Sequence, residues 1–452
     1  MSELSNPNRP APSAPRPYRF PDFTRHSLDN GLTVWFVPIA GSSLTSVHLL
    51  IDAGAAAEDE PHGGVASLTA RLLVTGTRRL DAAAFAAATE RLGIEVNSES
   101  SWDSSRAGFQ SLPQHLDAGM ALLAEMVQQP RFDPDEFSRL KAERLAAILQ
   151  MRADAGSLAD ESFVKHLYDA GTPYRRLAGG TPEMVETLVV DDVRAHHAAH
   201  HRPGRAHLVI AGVFDPDEAL RLAEQHLGGW SGSGPGHRTI TPAAAGGRRV
   251  VIVDRPGSVQ SELRIGLVGI DRFDPRYFSA AIMSTYLGGS FGSRINRRLR
   301  EELGYTYGAR CGFDPRRAAG PFSAAAAVQT EVSAPAIAEL LVLLEAAGGA
   351  PPATDELREA QDYQIGVFPL RFETTGGIAA AIEPIATYDL ADDYWQTYRD
   401  RLEAVDAAAA QQAAVELIRP AELLVVAVGD ASAIRADIEA LGVGPVEVVP
   451  AP

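Results

Sequence analysis

Apolar residues along this chain fall into two recurring patterns. Short runs rich in Val, Ile and Leu predict strands over Thr33 to Val37 and Ser46 to Ile51 near the start, and over Val250 to Val253 and Glu262 to Val268 past the middle. Longer stretches, in which apolar residues return every three or four positions, predict helices over Ala82 to Leu92, Leu116 to Val127, Asp135 to Met151, Ala336 to Ala347 and Ala404 to Leu417. Strands first and helices after, twice over, predict an α+β sandwich in each half, with helices covering one face of a sheet.

The two halves echo each other in detail. Arg202-Pro203 precedes a strand-like run, Ala206 to Ala211, then Gly212, then a helix over Asp215 to Leu227. Arg419-Pro420 precedes Leu423 to Val428, then Gly429, then a helix over Ala431 to Leu441, and the proline-to-glycine spacing is nine in both. Such self-similarity marks a duplicated unit. Between the copies, Ser231 to Gly247 holds five glycines, four serines or threonines and two prolines, the composition of a linker. The expected organisation is a disordered Pro-rich tail over 1–22, a first domain over 23–230, a linker over 231–247 and a second domain over 248–450, the two domains facing each other.

Composition narrows the function. The 452 residues are 45% hydrophobic and 22% charged, as in globular proteins, and the net charge of −17 disfavours nucleic acid and anionic membranes as partners. The single cysteine, Cys311, excludes an intramolecular disulfide and reads as a small buried residue. Met1 to Pro17 has no apolar core segment, so no signal peptide or membrane span is expected there, and the expected location is the cytoplasm.

The stretch Gly64-Val65-Ala66-Ser67-Leu68-Thr69-Ala70-Arg71-Leu72-Leu73-Val74-Thr75-Gly76-Thr77 resembles the zinc-binding helix of the pitrilysin-like metallopeptidases, peptidase family M16, in its bacterial branch. Other blocks agree in order. They include Leu28-Asp29-Asn30-Gly31-Leu32, Asp52-Ala53-Gly54, Leu92 to Asn97, Leu287-Gly288-Gly289-Ser290 and the run from Leu299-Arg300-Glu301-Glu302 through Gly304 to Tyr307-Gly308. The resemblance implies two homologous domains of the LuxS/MPP-like metallohydrolase fold, each an antiparallel-rich sheet covered by helices, together forming one half of a clamshell. It also implies that an extended peptide adds to the sheet edge at Leu92 to Ser101.

Zinc chemistry of this kind needs two imidazoles one helical turn apart and a carboxylate base between them, the His-x-x-Glu-His pattern. Here Ser67 stands at the first His position, Ala70 at the Glu position and Arg71 at the second His position. None is a ligand or a base, and Arg71 sets a fixed positive charge where a dication would sit. The third ligand of the family falls at Ala147 or Ile148, while Glu143, a turn earlier, leaves a site incomplete even if it reaches. No metal is expected on this chain. His196-His197-Ala198-Ala199-His200-His201 offers i, i+4 histidine pairs but no intervening carboxylate, and reads as solvated or locally packed histidines with adventitious metal affinity. His48 and His62 read as structural or surface residues. Gly288-Gly289-Ser290 lacks the ending of a phosphate loop, and a hinge or close backbone approach is expected instead.

Arg300 and Tyr307 match a pair in the family's second domain that faces the zinc across the chamber. Arg300 is expected near the end of a helix, Gly304 at the turn, and Tyr307 at the start of a strand. A guanidinium and a phenol there stabilise the developing oxyanion, a single such donor being worth about 2.7–4 kcal/mol. The plainer alternative is a surface ion pair for Arg300 and a core-capping role for Tyr307. The resemblance therefore implies a non-catalytic subunit, inert alone, that lends Arg300 and Tyr307 to a homologous partner bearing the His-x-x-Glu-His motif and its zinc, the pair acting on unfolded peptides. The alternative is an inert structural or peptide-binding homologue with an unrelated partner. A third reading, an autonomous peptidase with an unrecognised metal site, predicts stoichiometric zinc in the isolated chain.

Overall fold

The computed structural model describes residues 16–232 and 234–452. In chain order, the strands of the first half are β1 (Thr24–Ser27), β2 (Thr33–Pro38), β3 (Thr45–Ile51), β4 (Glu95–Ser100), β5 (Ser105–Ser111) and β6 (Ala206–Gly212). They lie side by side as β1-β2-β6-β3-β5-β4. The second half contributes β7 (Arg249–Asp254), β8 (Gln260–Val268), β9 (Ala309–Phe313), β10 (Pro321–Gln329), β11 (Leu424–Gly429) and β12 (Val446–Pro450), in the order β12-β7-β11-β8-β10-β9. Apart from the outermost strand, the two orders are the same. Each sheet is mixed, because β6 runs parallel to β2 and β11 parallel to β7, while the other inner pairs are antiparallel. This is the α+β duplication that the sequence predicts.

One expectation is corrected. Helices cover both faces of each sheet, and the second cover comes from the opposite half. In β3, Val47, Leu49 and Ile51 enter the core of their own half, while the alternate residues meet the Thr375–Tyr388 helix of the second half. Ser46 lies 2.8 Å from the Thr375 hydroxyl, and His48 lies 3.2 Å from Glu383, which also accepts from Arg106 of β5 at 2.7 Å. The mirror arrangement holds in β8. Leu263, Ile265 and Leu267 fill their own core, while Arg264 and Gly266 meet the Ala155–Leu167 helix of the first half. Arg264 donates to Asp160 at 2.6 Å and to the Gly156 carbonyl at 3.0 Å. A Cβ on Gly266 would stand 2.0 Å from the Phe322 carbonyl oxygen and 2.8 Å from the Phe163 ring, so only glycine lets that helix approach.

The predicted helices form, with boundary shifts of a few residues. The helix expected from Ala404 begins at Ala407, because Asp406 caps it by accepting from the Ala409 N–H. The expected tail over 1–22 ends earlier. Residues 1–15 lie outside the described residues, whereas Tyr18 and Phe20 pack against Phe372, and Phe20 also against Trp395. Within the linker the described residues form neither helix nor strand apart from an isolated bridge between Ala244 and Tyr168. Gly288 makes the expected close approach, since a Cβ there would stand 2.7 Å from the Cys311 sulfur, and Cys311 is buried.

Phe163 reaches from a first-half helix onto the second-half sheet and is buried. Phe163→Ala is expected to cost about 3–5 kcal/mol in denaturant unfolding, and to lower the midpoint of the whole chain rather than create a separate transition for one half.

Candidate functional site

The stretch that resembles the family's zinc-binding helix forms a helix over Val65–Leu73. Gly64 enters it at φ +98°, a conformation that favours glycine. Glu58 then folds back over the N-terminus, its carboxylate accepting from the Gly64 N–H at 3.0 Å and the Ala66 N–H at 2.7 Å. Arg176 pairs with the same carboxylate at 2.5 Å, and the Glu58 side chain is wholly buried. Burial pushes the Glu58 carboxyl up to about 7, against the pull of Arg176 and the two backbone donors. The sequence reading missed this cap. Its only signal was an acidic residue five positions before a Gly-Gly pair.

Val65, Leu68, Leu72 and Leu73 turn inward, and Ala70 is buried with them. Ser67 and Arg71, one turn apart, are half-buried. Arg71 lines an open cavity of about 660 Å³ together with Val74, Asn97, Ser98, Arg139 and Glu143, among others. Glu143, on the Pro134–Ala153 helix, reaches Arg71: Oε2 accepts from Arg71 Nη2 at 2.7 Å. Arg139 bonds Glu143 as well, and also Glu136. The hydrogen bond from Arg71, reinforced by Arg139, holds the Glu143 carboxyl below the usual carboxylate range. The family's third-ligand position offers Ala147, half-buried, and Ile148, buried in the core. Ser67, Ala70 and Arg71 do not fit a zinc ion, and an ion-pair chain occupies the ground where ligands would stand. Among the described residues, no group of three or more His, Cys, Asp or Glu side chains is placed to hold a metal.

Arg300 and Tyr307 stand elsewhere. Neither lines the cavity at Arg71. Arg300 lies in a π-helical turn, Arg297–Glu302, and a second such turn, Thr285–Gly289, precedes it. Turns of this kind are rare and recur at functional sites. The Arg300 guanidinium sits 3.4 Å over the Phe291 ring, and Nη2 donates to Glu301 at 3.2 Å. Nη1 is buried without a hydrogen-bond partner among the described residues. Gly304, at φ +68°, turns the chain as expected. Tyr307 does not start the following strand, which begins at Ala309, but stands in the loop before it, 98% exposed. It therefore caps no core. Phe291, 72% exposed beneath Arg300, was not singled out from the sequence although it directly follows the Leu287 to Ser290 block.

The histidine cluster packs inward. His196 lies 4.6 Å from His200 and His197 lies 4.5 Å from His201, measured between ring centres, and His197 Nε2 bonds the Val127 carbonyl at 2.7 Å. Burial pushes His196 down to about 3 and His197 to about 4, and it drives His201 well below the ordinary imidazole value. His48 bridges to Glu383, and His62 lies 3.7 Å from Asp192.

Two α+β domains of matching strand order, with Ser67, Ala70 and Arg71 on the helix that resembles a zinc-binding one, define a metallopeptidase-like protein. Two family profiles match the chain: one described as insulinase, peptidase family M16, over residues 39–178, and one described as the peptidase M16 inactive domain, over residues 187–363. The chain belongs to peptidase family M16. It is 25% identical over 335 residues to the non-peptidase homolog YmxG of Helicobacter pylori, covering 73% of this chain and 76% of that protein. It is 27% identical over 228 residues to the mitochondrial cytochrome b-c1 complex subunit 1 of Homo sapiens, covering 49% of this chain and 46% of that one. In fold it matches a crystal structure of a peptidase M16 inactive domain from Pseudomonas fluorescens. That TM-score is 0.84, at 24% identity over 90% of this chain and 98% of that chain. No helix among the described residues is long and apolar enough to cross a membrane.

Two outcomes are expected. Glu58→Ala leaves Arg176 buried without its carboxylate and should cost about 3–5 kcal/mol of stability in urea unfolding. The buried histidines must charge when the chain unfolds in acid. Their stabilising contribution is full above pH 6.5 and declines as pH falls from there towards 3–4, by about 1.36 kcal/mol per pH unit for each histidine kept neutral in the fold. Urea midpoints should therefore drop between pH 7.5 and 5, and His201→Phe should flatten that slope.

Proposed function

We propose that this chain is the non-catalytic subunit of a two-chain zinc peptidase. It lends Arg300 and Tyr307 to the metal site of a homologous His-x-x-Glu-His subunit and closes a chamber around unfolded peptides. One observation carries the reading. The pair that the resemblance assigns stands in place: Tyr307 is 98% exposed, and Arg300, largely buried, stacks on Phe291 with a buried Nη1 that no described residue engages. A tyrosine held only for stability would bury its ring; this one contributes nothing to the core of its own chain. A guanidinium stacked on an aromatic is oriented in advance, which suits a group that must meet negative charge as it develops. The zinc belongs, on this reading, to the partner, since Ser67, Ala70 and Arg71 supply no ligand.

The likeness to subunit 1 of the cytochrome b-c1 complex favours a second reading, an inert structural homologue inside an assembly. The two separate in one experiment: the chain is mixed with a zinc-bearing homologue encoded nearby, and cleavage of an unstructured peptide is followed. Arg300→Ala is expected to lower kcat of the mixture by about 10²–10³-fold, the effect of losing one oxyanion donor, while both subunits still co-purify. An unchanged rate defeats the active-site role and leaves the structural reading.

A further inference from the structure

The second half holds a cavity that serves none of the roles above. Its volume is about 260 Å³, and it lies between the Tyr277–Ser284 helix, the π-helical turn Thr285–Gly289, strand β9 and the Thr354–Val367 helix. Neither Arg300 nor Tyr307 lines it. The wall is apolar and aromatic, built mainly from Ile270, Tyr277, Ala280, Ala281, Phe313 and Tyr398. Gln364 completes one side, its amide donating to the Thr285 hydroxyl at 2.8 Å. Among the described residues, the one charged side chain in the lining is Arg371. It belongs to the short turn Phe368–Phe372, is exposed, and makes no ion pair among the described residues. A lining residue that also meets solvent stands at the mouth.

A second guanidinium stands close by. Arg272 is buried and stacks on Tyr277, its Cζ 4.0 Å from the ring centre. Its Nη2 donates to the Tyr394 hydroxyl at 2.5 Å rather than to a carboxylate. Arg371 and Arg272 both pull the Tyr398 phenol down, but burial outweighs them and pushes it up to about 12, so it is neutral at pH 7. The charge at this cavity is therefore positive, with no carboxylate in the lining to answer it. A cationic ligand is repelled, so the aromatic wall does not act as a cation cage. A wholly apolar ligand makes no use of the guanidinium. The chemistry suits a small molecule with an apolar body and one carboxylate, whose two oxygens match the planar fork of an arginine. The volume falls just below the usual range for ligand pockets, about 300–1,000 Å³, so the body is a short one.

We propose that this cavity binds a small apolar monocarboxylate, with Arg371 holding the carboxylate at the mouth and the aromatic wall enclosing the body. The site belongs to the chain alone and does not depend on the two-chain peptidase reading, so the two can fail separately.

Isothermal titration calorimetry of the full-length chain tests it, with hexanoate and with hexanamide, which keeps the shape and loses the charge. Hexanoate is expected to bind about tenfold more tightly, the scale of a charge-assisted contact. Arg371→Gln is expected to bring the two ligands to the same affinity without moving the urea midpoint, since Arg371 is exposed. Ala281→Leu, which lengthens a side chain of the lining, is expected to weaken both ligands alike. Equal affinity for the two ligands in the unaltered chain, no binding of hexanoate at millimolar concentration, or a hexanoate affinity left unmoved by Arg371→Gln or by Ala281→Leu would overturn the proposal.

Discussion

Strands β3, β5 and β8 carry polar side chains on the face that meets the opposite half, and each draws at least one partner from there. On β3 and β5 these are Ser46, His48 and Arg106, and their partners Thr375 and Glu383 come from a helix of the second half. On β8 it is Arg264, whose partners Asp160 and Gly156 come from a helix of the first. Buried polar groups cost free energy unless they are paired. The reciprocal exchange of helices is thus a condition for either sheet to be buried on both faces. It couples the halves into one unit and fixes the position of everything mounted on them, including the two π-helical turns around Arg300.

Within that frame, the helix at Val65–Leu73 is supported in two ways that involve no metal. From behind, the buried Glu58–Arg176 pair holds its first turn. From the front, Arg71 and Glu143 join it to the Pro134–Ala153 helix across the cavity. A buried ion pair is a weak source of net stability but a costly one to break, so the first support acts as a positional lock. The second is exposed and adjustable. That contrast separates what the helix needs in order to fold from what the cavity beside it can do.

Much of this was legible in the sequence, and the exceptions have physical reasons. Strands β2, β3, β6, β7, β8 and β11 were visible because buried inner strands form continuous apolar runs. Strand β10 was not, because Ala324 to Ala327 has weak strand character. The two exchanged helices were also hidden. Thr375–Tyr388 opens on Gly376-Gly377 and carries Pro384 inside, and Ala155–Leu167 divides its contacts between its own half and the other, which blurs a single apolar stripe. The motif frame placed Ser67, Ala70, Arg71, Arg300 and Tyr307 in order along the chain, yet it could not say that Glu143 would answer Arg71 or that Phe291 would lie under Arg300. Those contacts depend on how elements cross, which one-dimensional spacing does not encode.

The anchoring of the Val65–Leu73 helix from its rear has a consequence for how such proteins change over generations. Ser67 and Arg71 are only half-buried, Ala70 needs no more than a small apolar side chain, and none of the three takes part in that rear anchor. A duplicate gene can then lose its reaction in a few substitutions without becoming unstable, and selection can act afresh on the vacated surface while the architecture is inherited whole.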